Sequence, residues 1–199
     1  EANVADSDGT LIITHGELKG GSRLTREYAL KNRKPYLHID LDVLRGDDVL
    51  YAIVNWIVEN HIAVLNVAGS RASENPDLYD SVFGVLNNAV LLLKIRRMRH
   101  PSERPQTLDD AVNRLIADLP FKERTKIGNM AKEDILPLYP TFMTHMRDDF
   151  GLWNDNTALL ASCRTVAKDP QLHQDEAGPL IVKKLWEKLQ KTYRLRLVK

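Results

Sequence analysis

The chain has 199 residues, 43% apolar and 28% charged, with 10 Gly and 9 Pro. That is the composition of a folded protein of one or two domains, and it excludes a disordered chain. Its 28 Lys+Arg against 27 Asp+Glu leave a formal net charge of +1, which excludes bulk attraction to nucleic acid or an anionic membrane.

Thr10 to Thr14 is the first strand, β-branched and bounded by Gly9 and Gly16. A helix over 22–32 follows, then a strand over 36–41 after Pro35. A helix over 47–60 carries Val49, Leu50, Ile53, Val54 and Ile57 on one face, and a third strand covers 62–68. Pro76, at a favoured first-turn position, opens a long helix towards Arg99. Strands alternating with helices mean parallel βαβ units with buried strands. Ala2-Asn3-Val4-Ala5 is too short for a strand.

Composition changes at Arg96–Pro105, where two prolines bracket a charged segment. It reads as a linker, its arginines marking a solvated helix end. Beyond it only helices are expected. Thr107 caps one, with Asp109 and Asp110 in its first turn and an apolar stripe from Leu108 to Leu119. Others fall over 132–138, 142–150, 156–165 and 179–189. The expected fold is therefore an α/β, incomplete Rossmann-like parallel sheet (βαβαβα) over 1–97, a linker over 98–105 and a small all-α domain over 106–199.

Cys163, the one cysteine, cannot close an intramolecular disulfide, so a cytoplasmic location is expected. The longest uncharged run, Ser81 to Leu93, is far short of the ~20 residues that span a bilayer. The chain opens on Glu1 with neither an initiator Met nor a secretory leader, which suggests processing or a piece of a longer protein.

Asp6-Ser7-Asp8-Gly9-Thr10 has the D-x-D-G-T form of a haloacid-dehalogenase phosphatase, with Gly46-Asp47-Asp48 as its acidic partner. That chemistry needs a buried strand leading into the first Asp, and here the strong strand follows the motif. The same residues fit a turn, with Gly9 supplying backbone freedom. After the first strand, Gly20-Gly21-Ser22 enters a helix whose free N–H groups suit an anion, and Ser22 and Thr25 add hydroxyls. A helix start that satisfies its own amides explains these residues equally well. Asn66 to Arg71 ends the third strand, and ligands of open α/β sheets bind outside the carboxyl ends of strands. The two loops should therefore face one crevice.

In order, DSDGTLIIT, GGS-x-x-T, KP-x-L-x-IDL, VLNVAG-x-R-x-S and P-x-LY resemble the molybdenum-cofactor carrier family, a Rossmann-like relative of the SLOG superfamily, over about residues 3–86. The resemblance implies a ligand of nucleotide or molybdenum-cofactor (pterin-phosphate) type. It would have Gly20, Gly21, Ser22 and Thr25 cradle phosphate and Asp8, Gly9 and Thr10 shape the loop beneath. Asn66, Gly69 and Arg71 would line the crevice. The family's upstream Gly-rich loop is lacking, and so is the PGG-x-GT-x-x-E motif of LOG-type phosphoribohydrolases, so their hydrolysis is not carried over. The second half resembles a small helical domain of unknown function from bacterial and phage proteins. It shares Thr107-Leu108, Asn129-Met130, Phe150-Gly151-Leu152-Trp153 and Leu185-Trp186.

His145 and Cys163 suggest a thiol nucleophile, but no third partner is identifiable and buried cysteine is commonly inert. Trp153 and Trp186 sit among apolar neighbours and read as core, and Met143 and Met146 as packing. The six histidines are scattered, without a metal-ligand spacing.

The sequence thus reads as a carrier or sensor module for a small phosphorylated ligand, tethered to a helical interaction domain. Its rivals are a phosphate-ester hydrolase using Asp6 or Asp8 and a structural or regulatory partner without ligand. Because three apolar strands leave bare sheet edges, a second copy or a companion polypeptide is expected to complete the sheet. Nucleic acid and membrane are not expected partners.

Overall fold

The computed structural model describes residues 2–69, 78–98 and 104–193. It divides into two compact units, Glu1–Ala89 and Val90–Lys199.

The first unit begins with a short helix, α1 (Ala2–Asp6), and the strand β1 (Gly9–Thr14), all six of whose residues are buried. The helix α2 (Gly20–Lys31) leads to β2 (Tyr36–Asp40), and α3 (Asp47–Glu59) leads to β3 (Leu65–Gly69). Both outer strands run parallel to β1, in the order β2-β1-β3. The expected Rossmann-like α/β arrangement is present, and β1 is its spine. Residues point to alternate faces along a strand, so Leu11 and Ile13 share the face of Gly9, against which Trp56 of α3 packs. Val49, Leu50, Ile53 and Val54 of α3 are all buried. The opposite face is polar for a buried sheet, carrying Thr10, Thr14, His38, Asp40 and Asn66.

β3 starts three residues later than the predicted 62–68. The Asp8 carboxylate accepts hydrogen bonds from the backbone N–H groups of Ala63 (3.0 Å) and Val64 (2.7 Å). Ile62 turns its side chain onto Gly9. These residues belong to the turn and not to the ladder.

The helix α4 (Leu78–Met98) runs where one was predicted; Pro76, its expected opening, and Arg99 lie outside the described residues. Among the described residues α4 is long and apolar enough, by length and composition, to cross a membrane, with 33% of the relevant window buried in the fold. It exceeds the uncharged run because Asp80, Lys94, Arg96 and Arg97 fall near its ends. The division between units falls within α4, since Leu91 and Ile95 join the second unit's core. Of the predicted linker, 99–103 lie outside the described residues. Arg96 is helical and pairs with Asp148 at 2.6 Å.

The second unit is all helical among the described residues. It comprises α5 (Leu108–Asp118), α6 (Phe121–Gly128), a 3-10 turn (Glu133–Leu138), α7 (Tyr139–Phe150), α8 (Thr157–Ala167) and α9 (Gln174–Tyr193). Thr107 caps α5 as expected, its hydroxyl accepting from Asp110 N–H while the Asp110 carboxylate accepts from Thr107 N–H. Asn156 caps α8, and its amide also donates to the carbonyls of Pro105 and Phe150. Gly151 ends α7 in the left-handed region at φ 67°. Leu115, Phe142, Met146, Phe150, Leu159, Ile181, Leu185 and Leu189 interlock at the centre.

Candidate functional site

The carboxyl edge of the sheet is a polar, hydrogen-bonded rim. After β1, Gly16 takes φ 73°, and Gly20 takes φ 48° as it opens α2. Nothing lies within 4 Å of where a Cβ would stand at Gly20 or Gly21, so the backbone at the start of α2 is open to a ligand. Ser22 is buried and committed to the helix start: its hydroxyl donates to the Lys19 carbonyl (2.7 Å) and accepts from Lys19 N–H (3.1 Å). The Thr25 hydroxyl donates to the Gly21 carbonyl (2.9 Å). What this turn offers is backbone and dipole, with both hydroxyls already engaged.

Thr14, at the end of β1, donates its hydroxyl hydrogen to the Gly16 carbonyl (2.8 Å) and lies 2.8 Å from His38 Nε2. With the hydroxyl hydrogen spent, Nε2 is the donor, which fixes the tautomer of a neutral His38. Asp40 accepts from Gly16 N–H (2.8 Å) and Asp42 N–H (2.9 Å), which holds its carboxyl below the ordinary range. Burial pushes His38 down, against the pull of Asp40 and with the help of the Arg26 charge. His15 Nδ1 meets Asp42 at 2.8 Å on the outside of the rim.

The predicted site residues do not all gather here. Gly20, Gly21, Ser22 and Thr25 stand at the carboxyl edge, and Gly69 ends β3 opposite Ile13. Asp8, Gly9 and Thr10 lie at the amino end of β1, roughly 16 Å away at about 3.3 Å per residue, so they do not shape the loop beneath α2. Asp8 caps Ala63 and Val64, and those two bonds hold its carboxyl below the ordinary range. Thr10 is fully buried, and Asn66, paired with it across the ladder, donates to its hydroxyl (3.3 Å). Gly69 has a packing reason, since a Cβ there would come within 2.7 Å of the Ile13 carbonyl oxygen. Arg71 lies outside the described residues. Sequence reasoning passed over Thr14, Arg26, His38 and Asp40, although the alternation His38-x-Asp40-x-Asp42 marks a polar strand face.

In the helical unit, Cys163 is buried and its thiol is pushed up to about 11 by that burial, which removes it as a nucleophile. His145 is instead enclosed by Asp118 and Asp149. Trp153 packs against the core and donates to Asp175 (2.7 Å), and Trp186 donates to the Met130 carbonyl (3.1 Å). Trp186 also lines a cavity of about 170 Å³ with Ile135, Leu136, Tyr139, Lys132 and Lys183. Among the described residues no group of three or more His, Cys, Asp or Glu could hold a metal ion.

A parallel sheet whose central strand turns through a left-handed glycine into an open helix start defines a Rossmann-like module. Residues 1–90 match the circularly permutated YpsA SLOG family, and residues 104–189 match a domain of unknown function, DUF6794. A crystal structure of a Syntrophus aciditrophicus protein named "Putative molybdenum carrier protein" is 51% identical, with a TM-score of 0.42 over 43% of this chain and 54% of that one. This chain therefore spans about half the length of that relative. None of the curated proteins matches it.

Proposed function

We propose that the first unit binds a small phosphorylated ligand, of nucleotide or molybdopterin type, at the carboxyl edge of its sheet, as a carrier or sensor, and that the helical unit serves interaction. The observation that carries this reading is the open backbone of Gly20 and Gly21 at the start of α2, directly after the central strand. The Gly20 and Gly21 backbone and the positive end of the helix dipole meet there, at the edge where parallel sheets bind ligands. The family match over residues 1–90 supports the same reading. The name of the crystallised relative makes molybdopterin a compound to include in the test. Asp8 is engaged by two backbone amides at the other end of β1, and no hydrolytic role is assigned to it.

The test is thermal unfolding of the full chain with AMP, other nucleotides and molybdopterin. A ligand at 100 times its Kd stabilises by about 2.7 kcal/mol. Gly21→Val should abolish that gain while leaving the ligand-free melting temperature near wild type, because the added side chain enters open space. If no phosphorylated compound stabilises the wild type, or Gly21→Val responds like it, the reading fails.

A further inference from the structure

The face of α2 turned towards the sheet carries a cation that no described residue neutralises. Arg26 follows Ser22 by four residues and precedes Ala29 by three, and both of those are buried, so all three share one helix face. Its Nε is shielded from solvent and has no hydrogen-bond partner among the described residues. Arg23, on the outer side of α2, pairs with Glu27 at 3.6 Å. Native proteins rarely leave a shielded donor without a partner of some kind. The Arg26 charge reaches His38 of β2, whose pKa it helps to lower, and long side chains on a helix lean towards its N-terminus, here the end at Gly20.

β2 supplies the second group. His38 stands on the polar face of the sheet, and its Nε2 hydrogen is committed to Thr14. That leaves Nδ1 to accept a proton and become a donor. Asp40, on the same face of β2, is engaged by Gly16 N–H and Asp42 N–H. Asp42 itself meets His15 on the outer rim. Asp40 Oδ1 is thus taken by backbone amides, while the Asp40 charge favours a protonated His38. Arg26 Nε and His38 Nδ1 are the basic-side-chain atoms here to which no partner is assigned among the described residues.

We propose that Arg26 and His38 together hold one phosphoryl oxyanion of the bound ligand between α2 and β2. The guanidinium offers a fork of N–H donors matched to phosphate geometry, and the imidazole adds Nδ1–H once it takes up a proton. The assignment rests on the reading of a phosphorylated ligand given above. Burial, with Arg26 assisting, keeps His38 below its ordinary pKa in the empty protein. An anion beside it reverses the balance and draws in a proton.

The experiment follows the His38 imidazole of the full chain by NMR across pH, without and with inorganic pyrophosphate or AMP. Binding should raise the His38 pKa by at least about one unit. Arg26→Gln should weaken binding by roughly tenfold or more, with Arg26→Lys intermediate, because a point charge replaces the fork. His38→Gln should reduce the pH dependence of binding to that of the ligand's own phosphate ionisation, and it carries the test should Arg26→Gln not fold. If pyrophosphate or AMP shifts the Gly20 and Gly21 amides but leaves the His38 pKa and the Arg26→Gln affinity unchanged, this assignment is overturned and the phosphorylated-ligand reading stands. If neither compound binds at all, both fall.

Discussion

Asp118→Asn should cost the helical unit about 3 kcal/mol, and the cost should fade as the pH rises. Asp118 is fully buried. Its Oδ2 accepts from Arg114 Nε (2.8 Å) and lies 3.3 Å from Nε2 of the buried His145, whose Nδ1 is 2.7 Å from Asp149 Oδ2. With a carboxylate at each ring nitrogen, the imidazole is best matched when doubly protonated. Burial alone would lower the His145 pKa; the bonds and charges of Asp118 and Asp149 outweigh it, and the pKa is raised. Burial likewise opposes the charge on Asp118, but His145 and Arg114 prevail and its pKa is lowered. Removing one partner of a buried ion pair costs about 3–5 kcal/mol. The low end applies here, because Arg114 is 15% exposed and can turn to water, and Asp149 still serves His145. The sign follows from the two shifts. The contribution of His145 is complete below its unfolded pKa of about 6.5 and is lost as the pH climbs through its raised folded value; that of Asp118 is lost as acid passes its lowered one. Urea unfolding of the full chain in a Trp56→Phe background, read from Trp153 and Trp186, reports this unit. Wild-type stability should form a plateau with an alkaline decline, and Asp118→Asn should show less of that decline. A wild type that is flat or rising above pH of about 7, or a cost under about 1 kcal/mol below it, would refute the argument.

Gly69→Ala should lower the melting temperature of the ligand-free first unit, by roughly 1–3 kcal/mol in stability, because the new Cβ meets the Ile13 carbonyl at 2.7 Å; a mutant that unfolds with the wild type contradicts that packing. Cys163 should resist alkylation in the native protein at pH of about 8 and react on denaturation, as mass spectrometry after iodoacetamide treatment will record. Light scattering should give a mass above that of one chain, since β2 and β3 each have one edge unpaired among the described residues, and Val67 in β3 and Val64 just before it are exposed (39% and 55%). A monomer with no co-purifying polypeptide would contradict it.

Strands β1 and β2 were legible because their β-branched and apolar runs are bounded by Gly and Pro, and the Thr107 cap because Thr followed three residues later by Asp is a local signature. β3 was misplaced because Asp8, more than fifty residues away, takes the first amides of the apolar run. No local pattern reports such a capture. α6 escaped notice for a similar reason. It begins after Pro120 without a side-chain cap and exists by packing on α9, where Gly128 would place a Cβ 2.8 Å from the Leu189 carbonyl. Pro179 reads as a helix start, yet α9 begins at Gln174, where the Glu176 carboxylate accepts from His173 N–H. In the candidate site, Gly20 and Gly21 were legible as a helix start from their type and place. Gly9, Gly69 and Asp8 carry the same residue types, and only the fold shows that they serve packing and a turn. That Arg26 Nε lacks a partner among the described residues is a tertiary fact that no spacing could reveal.

Of the three described strands, the central one comes first in the chain. Both neighbours of β1 follow it in the chain, the second ending at Gly69, about fifty residues later. At roughly 5–20 residues per second, β1 leaves the ribosome some seconds before β3 exists. During that interval Leu11, Ile12 and Ile13, almost wholly buried in the finished fold, have no partner on one flank. Until β3 arrives, one flank of nascent β1 therefore keeps its backbone N–H and C=O groups unpaired beside an apolar run.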